Sequence, residues 1–550
     1  MARQGKTMFR PSNALGLIAA LTLFISPTGG QDRVQRESVD LTTVYKIKAA
    51  EFGLAVGKPK SQIADLAFNL TDRFGPRLTN SPQFRRSAEW AVQQLREWGV
   101  SNVHLEKWAP PPSTPLPSWE CTFFSASMVE PTYQELIAVP RAWSPATPGS
   151  ITAEAIIFEG PRTMEEFESK RGKFTGKILL TGGPPSQLPL PEARLVQRYT
   201  AEELARLTAE RILVFNPFPP PPAPADFYTM NEKKLREFWA QEKPLAVLLS
   251  GEGFESVTPF QGGTLQADIR VQDANPKPMA ILAAEHYNRI ARLLTRNVPV
   301  RVRLEIRTEV DETLKNEAFN VIGELPGGAK KDEVVLVGAH LDSWAAATGA
   351  TDNAIGCAVI MEAMRILRDL RVPMDRTVRI ALWGGEEQGR LGSRAYVKEH
   401  FADVADMRLR PEHEKLSAYF NLDGGSGRIR GIYLRHNEMA RPVFEDWFAA
   451  LKDLTSGAVS IRDIDDDQPV YSDHMSFDAV GLPAFHFLQD PLDFETRTHH
   501  TNMDTFDRIQ MTDAEQMAVV VASFLYNAAT RSDKLPRKGL PAPQQTGPRQ

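Results

Sequence analysis

The sequence predicts an α/β fold: a mixed, mostly parallel sheet with helices on both faces, accompanied by a second, β-rich region. Three observations carry this. After Asn320 apolar strand-like runs alternate with helical ones, the pattern of a parallel sheet covered on both sides. Between about Glu120 and Thr308 the texture is instead one of short β-like runs broken by Gly and Pro. The chain is 550 residues long and 42% hydrophobic, enough for more than one core. A net charge of -5 supplies no basic excess to neutralise phosphates, so nucleic acid is not an expected partner.

The elements follow in order. Residues 1–30 have a basic start (Arg3, Lys6, Arg10), the short apolar run ALGLIAALTLFI and small residues in SPTGGQ. That is the layout of a signal peptide; the alternative is an uncleaved anchor. Cleavage near Gly30 leaves an exported protein, secreted or periplasmic, with no stable membrane association. Cys121 and Cys357 are expected to be two separate thiols, so no cysteine metal site is available. Residues 40–125 form an N-terminal segment, helical in pattern from Asp40 to Trp108, with SAEWAVQQLREWG stopped at Gly99 and a proline-rich crossing, APPPSTPLPS. Residues 126–308 read as a separate β-rich unit, inserted or appended, containing QELIAVP, AEAIIFEG, GKILLTG and LAVLLSG and interrupted by FNPFPPPPAPADF. Residues 309–531 are the α/β unit, and 532–550, rich in Pro, Gln, Lys and Arg, a disordered tail.

In the α/β unit DEVVLVGAHLDS, RTVRIALWG, LSAYFNLD and LPAFHFLQ read as strands. NAIGCAVIMEAMRILRDL, the segment after Gln388, EMARPVFEDWFAALKDL and TDAEQMAVVVASFLYNAAT read as helices. Ligands in such folds gather outside the carboxyl ends of the strands. Just past those ends stand His340, Asp352, Glu386 with Glu387, Asp423 and His500. Two His and three carboxylates, without thiolate, suit a catalytic zinc, cobalt or manganese. Five such residues hold two ions if one carboxylate bridges, and the remaining glutamate is then free to act as a general base. Each residue alone has an ordinary reading. His340 is a hydrogen-bonded structural histidine, Asp352 a helix N-cap, and Glu386 with Glu387 a solvated turn. Asp423 before Gly424 and Gly425 is a tight turn, and Asp504 a cap. The six in order at one sheet edge point to the metal reading. RDIDDDQP reads as a solvated loop, and Tyr471 as either a core residue or an oxyanion donor.

The pieces GAHLDSW, TGATDNAIG, WGGEEQGRLGS, NLDGG, YSDHMSF and HHTNMDT, from Val334 to Thr505, resemble the M28 zinc metallopeptidases in order and separation. AVPRAWSPATPGS followed by GKILLTG is similar to the protease-associated domain inserted in some members. The resemblance implies the zinc-exopeptidase type of α/β fold and two zinc ions per chain, with cobalt or manganese as substitutes. It makes Asp352 the bridging ligand, with His340 and Asp423 on one ion and Glu387 and His500 on the other. Glu386 would be the base, Asp342 would hold the His340 imidazole, and Asp473 would support His500. The family's spacing to Asp504 and Thr505 selects His500, with His499 as the rival. The implied activity is exopeptidase action on short peptides or dipeptides near a free chain end, as an aminopeptidase, dipeptidase or carboxypeptidase. The inserted unit would cover the site or mediate a homodimer. Alternatives are a glutaminyl cyclase-like acyltransferase with one zinc, a non-catalytic binding protein on a peptidase scaffold, and a sugar or amine hydrolase using the same metals.

Overall fold

The computed structural model describes residues 37–54, 61–111, 115–158, 163–181, 196–209, 241–251, 277–463 and 471–543, with 234, 237 and 238. The expected signal segment 1–30, the FNPFPPPPAPADF cluster and most of RDIDDDQP lie outside them.

An eight-stranded sheet carries the α/β unit. Its order is Ser101–Trp108, Ala318–Leu325, Arg376–Trp383, Lys330–His340, Leu416–Asn421, Ala484–Gln489, Ile429–Tyr433 and Ser460–Arg462. The four strands from Arg376–Trp383 to Ala484–Gln489 run parallel, and antiparallel partners flank them. Alternation along each central strand feeds two cores. Val335, Val337 and Ala339 face the helices Ile355–Leu370 and Met511–Thr530, whereas Leu336, Ala381, Trp383 and Tyr419 face Leu391–His400 and His474–Asp478. Ile355–Leu370 is apolar almost all round because Leu41–Glu51, Ile63–Phe68 and Met511–Thr530 cover it away from the sheet. Each large side chain buried here contributes roughly 1.5–3 kcal/mol.

A second eight-stranded sheet lies wholly between Ser118 and Asp311, with its own apolar core around Met128, Leu180, Leu248, Ile290 and Leu304. Its long antiparallel pair, Ser118–Glu130 with Arg301–Asp311, continues directly from a pair in the first sheet, Ser101–Trp108 with Ala318–Leu325. The whole segment is therefore an excursion from one hairpin. It returns to the α/β unit at Gln197, which exchanges backbone hydrogen bonds with Leu492 in the loop after the strand Ala484–Gln489. There Arg198 meets the buried carboxylates of Asp490 and Asp513 at 3.3 and 2.6 Å.

Two expectations are corrected. The helical pattern does not continue to Trp108: after Gly99 the chain forms the edge strand Ser101–Trp108, in which Val103 is buried and its neighbours are more exposed. The tail from Ser532 is laid on the body rather than disordered through its described part. Leu535 is buried, Pro536 O accepts from Asn437 Nδ2 at 2.7 Å and Lys538 Nζ donates to Arg435 O at 2.6 Å. One apolar side chain and well-placed cations achieve what composition alone does not reveal.

Candidate metal centre

The strand Lys330–His340 ends at His340, whose buried ring is oriented by one hydrogen bond, Nδ1–H to the carbonyl of Asp342 at 2.9 Å. Nε2 then faces Asp352 Oδ1 at 3.0 Å and Asp423 Oδ1 at 3.2 Å. The second group is built on the other oxygen of Asp352: His500 Nε2 lies 3.2 Å from Asp352 Oδ2 and 3.0 Å from Glu387 Oε2. Ligand atoms about 2.0 Å from a tetrahedral ion lie about 3.3 Å apart, so both groups have the edge lengths of a coordination shell. The donor chemistry, imidazole nitrogen with carboxylate oxygen, fits the divalent ions expected from the sequence.

The adjacent glutamates sit on a turn that glycine permits. Gly385 has φ +74, and a Cβ there would press on Trp108 and Leu391. The turn places Glu387 against His500, while Glu386 lines a cavity of about 740 Å3 shared with Asp352, Asp423 and His500. Burial raises the Glu386 carboxyl well above its ordinary value; Asp473, Asp423 and Glu387 add to the rise, and His340 opposes it.

Asp342 acts differently from the expectation. Its backbone carbonyl holds His340, and its carboxylate stands 3.7 Å from that ring. The carboxylate instead accepts the backbone N–H groups of Glu386 and Glu387, both at 3.2 Å, and the Thr79 hydroxyl at 2.9 Å. The chain turns immediately after the strand and brings the carbonyl, rather than the side chain, over the imidazole. Asp342 thus fixes the glutamate turn.

Asp473 makes no hydrogen bond to His500; burial pushes its carboxyl up to about 7, opposed by the Ser393 hydroxyl. His499 lies against His500 with its ring tilted by 39° and ring centres 3.8 Å apart, stands 3.9 Å from Asp352 Oδ2 and pairs with Glu495 at 3.4 Å. His500 has the shorter approach to Asp352.

Two supporting residues have no signal of this role in the sequence. Asp504, a spacing mark or cap by its sequence context, accepts from Thr351 N at 2.6 Å, Thr351 Oγ1 at 2.8 Å and Asp352 N at 3.1 Å, locking the backbone that presents Asp352. Arg77, fully buried, donates to the carbonyls of Leu70, Leu341, Thr348 and Gly349. A buried arginine among carbonyls has no periodic signature in the sequence.

Known proteins resemble this chain along most of its length. Residues 320–525 match the model of peptidase family M28. Carboxypeptidase Q of Mus musculus is 26% identical over 513 residues, covering 92% of this chain and 95% of that protein. The crystal structure of a Peptidase M28 precursor from Shewanella amazonensis superposes with a TM-score of 0.61 at 24% identity, covering 91% of this chain and 99% of that one. The zinc aminopeptidase of Bacillus subtilis gives 0.52 at 20% identity, covering 86% and 95%. The fold is shared along most of the chain, and the segment that holds every candidate ligand, residues 320–525, is the part that matches peptidase family M28.

Proposed function

We propose that this protein is an exported two-zinc exopeptidase that hydrolyses short peptides, dipeptides included, beside a free chain end. The observation that carries the reading is the division of Asp352, one oxygen facing His340, whose Nε2 also meets Asp423, and the other facing His500, whose Nε2 also meets Glu387. His340, Asp352 and Asp423 would hold one ion, and Asp352, Glu387 and His500 the other. A likeness to a named zinc aminopeptidase supports the choice of metal. Bound ions would acidify water and polarise the scissile carbonyl. Glu386, on the cavity wall, accepts the proton of the attacking water and returns it to the leaving amine. Asp342 keeps Glu386 and Glu387 on their turn throughout.

Short substrates are favoured by the cavity itself, which is about 740 Å3 and includes both a cation, Arg390, and a carboxylate, Glu495, in its lining. Those charges complement the two ends of a zwitterionic dipeptide. Tyr199, from the excursion, also lines it, so the inserted sheet would cover part of the site. Export rests on the N-terminal sequence. Among the described residues no helix is long and apolar enough to cross a membrane.

The test is metal content by mass spectrometry on the purified protein, paired with hydrolysis of free and end-blocked dipeptides. Two zincs per chain and chelator-sensitive cleavage that requires a free end are expected. One zinc or none, with an inert panel, would move the assignment to the cyclase or to a binding protein.

A further inference from the structure

We infer that His486 contacts the substrate, presenting its Nε2–H to an oxygen of the peptide held in the cavity. The inference rests on the peptidase reading above and on a hydrogen-bond relay whose direction is fixed from both ends.

Trp383 Nε1 can only donate, and it bonds the Tyr419 hydroxyl at 2.8 Å. The hydroxyl proton therefore goes to Asn421 Oδ1, at 2.5 Å. That sets the carboxamide: Asn421 Nδ2 donates to Ser472 Oγ at 2.8 Å and to His486 Nδ1 at 3.1 Å. The other end agrees. Asp423 Oδ2 is an acceptor, so the Ser472 hydroxyl donates to it, at 2.5 Å, and must accept from Asn421. A ring nitrogen that accepts carries no proton, which leaves the proton of the neutral imidazole on Nε2. Burial pushes His486 down to about 4, so the ring remains neutral through the physiological range.

The position is built for this. His486 pairs with Asn421 in the parallel ladder, two residues before Asp423, and lines the cavity. Tyr433 and His474 stack on the ring, with centres 6.0 and 4.9 Å away. Gly338 is required at the start of the relay, because a Cβ there would collide with Trp383 Nε1 and the Tyr419 hydroxyl. Among the described residues none accepts from His486 Nε2. A ring donor without a protein acceptor among the described residues, on the wall of a substrate cavity, is placed to give its proton to an oxygen of the ligand. Two oxygens have the right chemistry: the scissile carbonyl as it gains charge, and the terminal carboxylate.

The test compares the metal-loaded full-length wild type with His486→Leu and His486→Gln on a dipeptide, the same dipeptide amidated at its C-terminus, and an aminoacyl anilide. The leucine variant should lose about 10- to 100-fold in kcat/KM, and the glutamine variant, which restores an N–H, should stay within about threefold of wild type. A loss confined to the free dipeptide assigns the bond to the terminal carboxylate; a loss of kcat shared by all three assigns it to the scissile oxygen. A leucine variant with wild-type constants, or a glutamine variant as impaired as leucine, overturns the inference. Nitrogen-15 histidine NMR of the wild type supplies a readout independent of turnover. His486, identified by its missing signals in the glutamine variant, should show an unprotonated Nδ1 and an Nε2–H that shifts when a non-hydrolysable phosphinate dipeptide is added. An Nδ1–H tautomer, or an Nε2–H that does not respond, overturns it. If the wild type cleaves none of the panel, the peptidase reading fails and the spectrum alone decides the role of His486.

Discussion

Asp352 turns one carboxylate oxygen to His340 Nε2 at 3.0 Å, while its second oxygen faces His500 Nε2 at 3.2 Å. A single residue after the central strand thus joins both halves of the centre. His340 ends that strand, and His500 arrives from a loop 160 residues later in the chain, with φ +57.

In the proposed two-ion centre, replacing this shared residue should affect both ions together. Asp352→Ala is expected to retain almost no metal after dialysis, whereas His500→Ala should keep about one ion per chain, since one site retains all three ligands. The measurement is metal per chain by mass spectrometry. An Asp352→Ala protein that holds one ion tightly would show that the carboxylate does not bridge.

Glu386→Gln separates binding from chemistry. The residue lines the cavity but stands outside both ligand groups, so metal content should match wild type. A positioned base contributes roughly 10²- to 10⁴-fold, and kcat should fall by about that factor while KM moves little. Turnover near the wild-type value would remove Glu386 from its assigned role.

How much of this was legible in the sequence depends on which force fixes each part. The strand ends and the six candidate residues were readable because burial on both faces makes each parallel strand a continuous apolar run that stops where its chemistry begins, as in VVLVGAH or SAYFNLD. The edge strand Ser101–Trp108 was not, since it buries only part of one face and follows a strongly amphipathic helix. Asp342 was legible as a member of the site, but its role was not, because spacing places it near His340 and cannot say whether its carbonyl or its carboxylate takes the ring. Asp504, Arg77 and His486 act through partners 152, 264 and 65 positions away in the chain, at separations that no local pattern encodes.

Asp504 provides a test of how the centre is supported. Asp504→Ala would leave the buried N–H groups of Thr351 and Asp352 unpaired, at a cost of about 1–3 kcal/mol each. Metal affinity should weaken by about 10- to 100-fold, as expected when a group that orients a ligand is lost. Competition with a chelator of known affinity measures the second effect, and urea unfolding of the metal-free protein the first. Unchanged affinity would mean that Asp352 keeps its place without the Asp504 carboxylate.

His400 gives the fold a pH dependence away from the centre. Its Nε2 meets Glu106 of the edge strand at 2.9 Å and its Nδ1 lies 3.5 Å from Glu412. Burial alone would lower its pKa, but hydrogen bonds and charge from Glu106 and Glu412 outweigh it and raise the group to about 9 from an ordinary 6.5. Below about pH 6.5 the folded and unfolded chains both carry the proton, so the contribution to stability is complete. Between 6.5 and about 9 the unfolded chain loses the proton while the folded one keeps it, and the contribution fades; above about 9 it is gone. The ring is one-quarter exposed, so after allowance for screening the full effect is on the order of 1–2 kcal/mol. His400→Gln should accordingly lower the urea midpoint at pH 6 and differ much less from wild type at pH 9.5. An equal deficit at both values would mean that His400 contributes through packing against Tyr396, 4.3 Å away ring to ring, rather than through its charge.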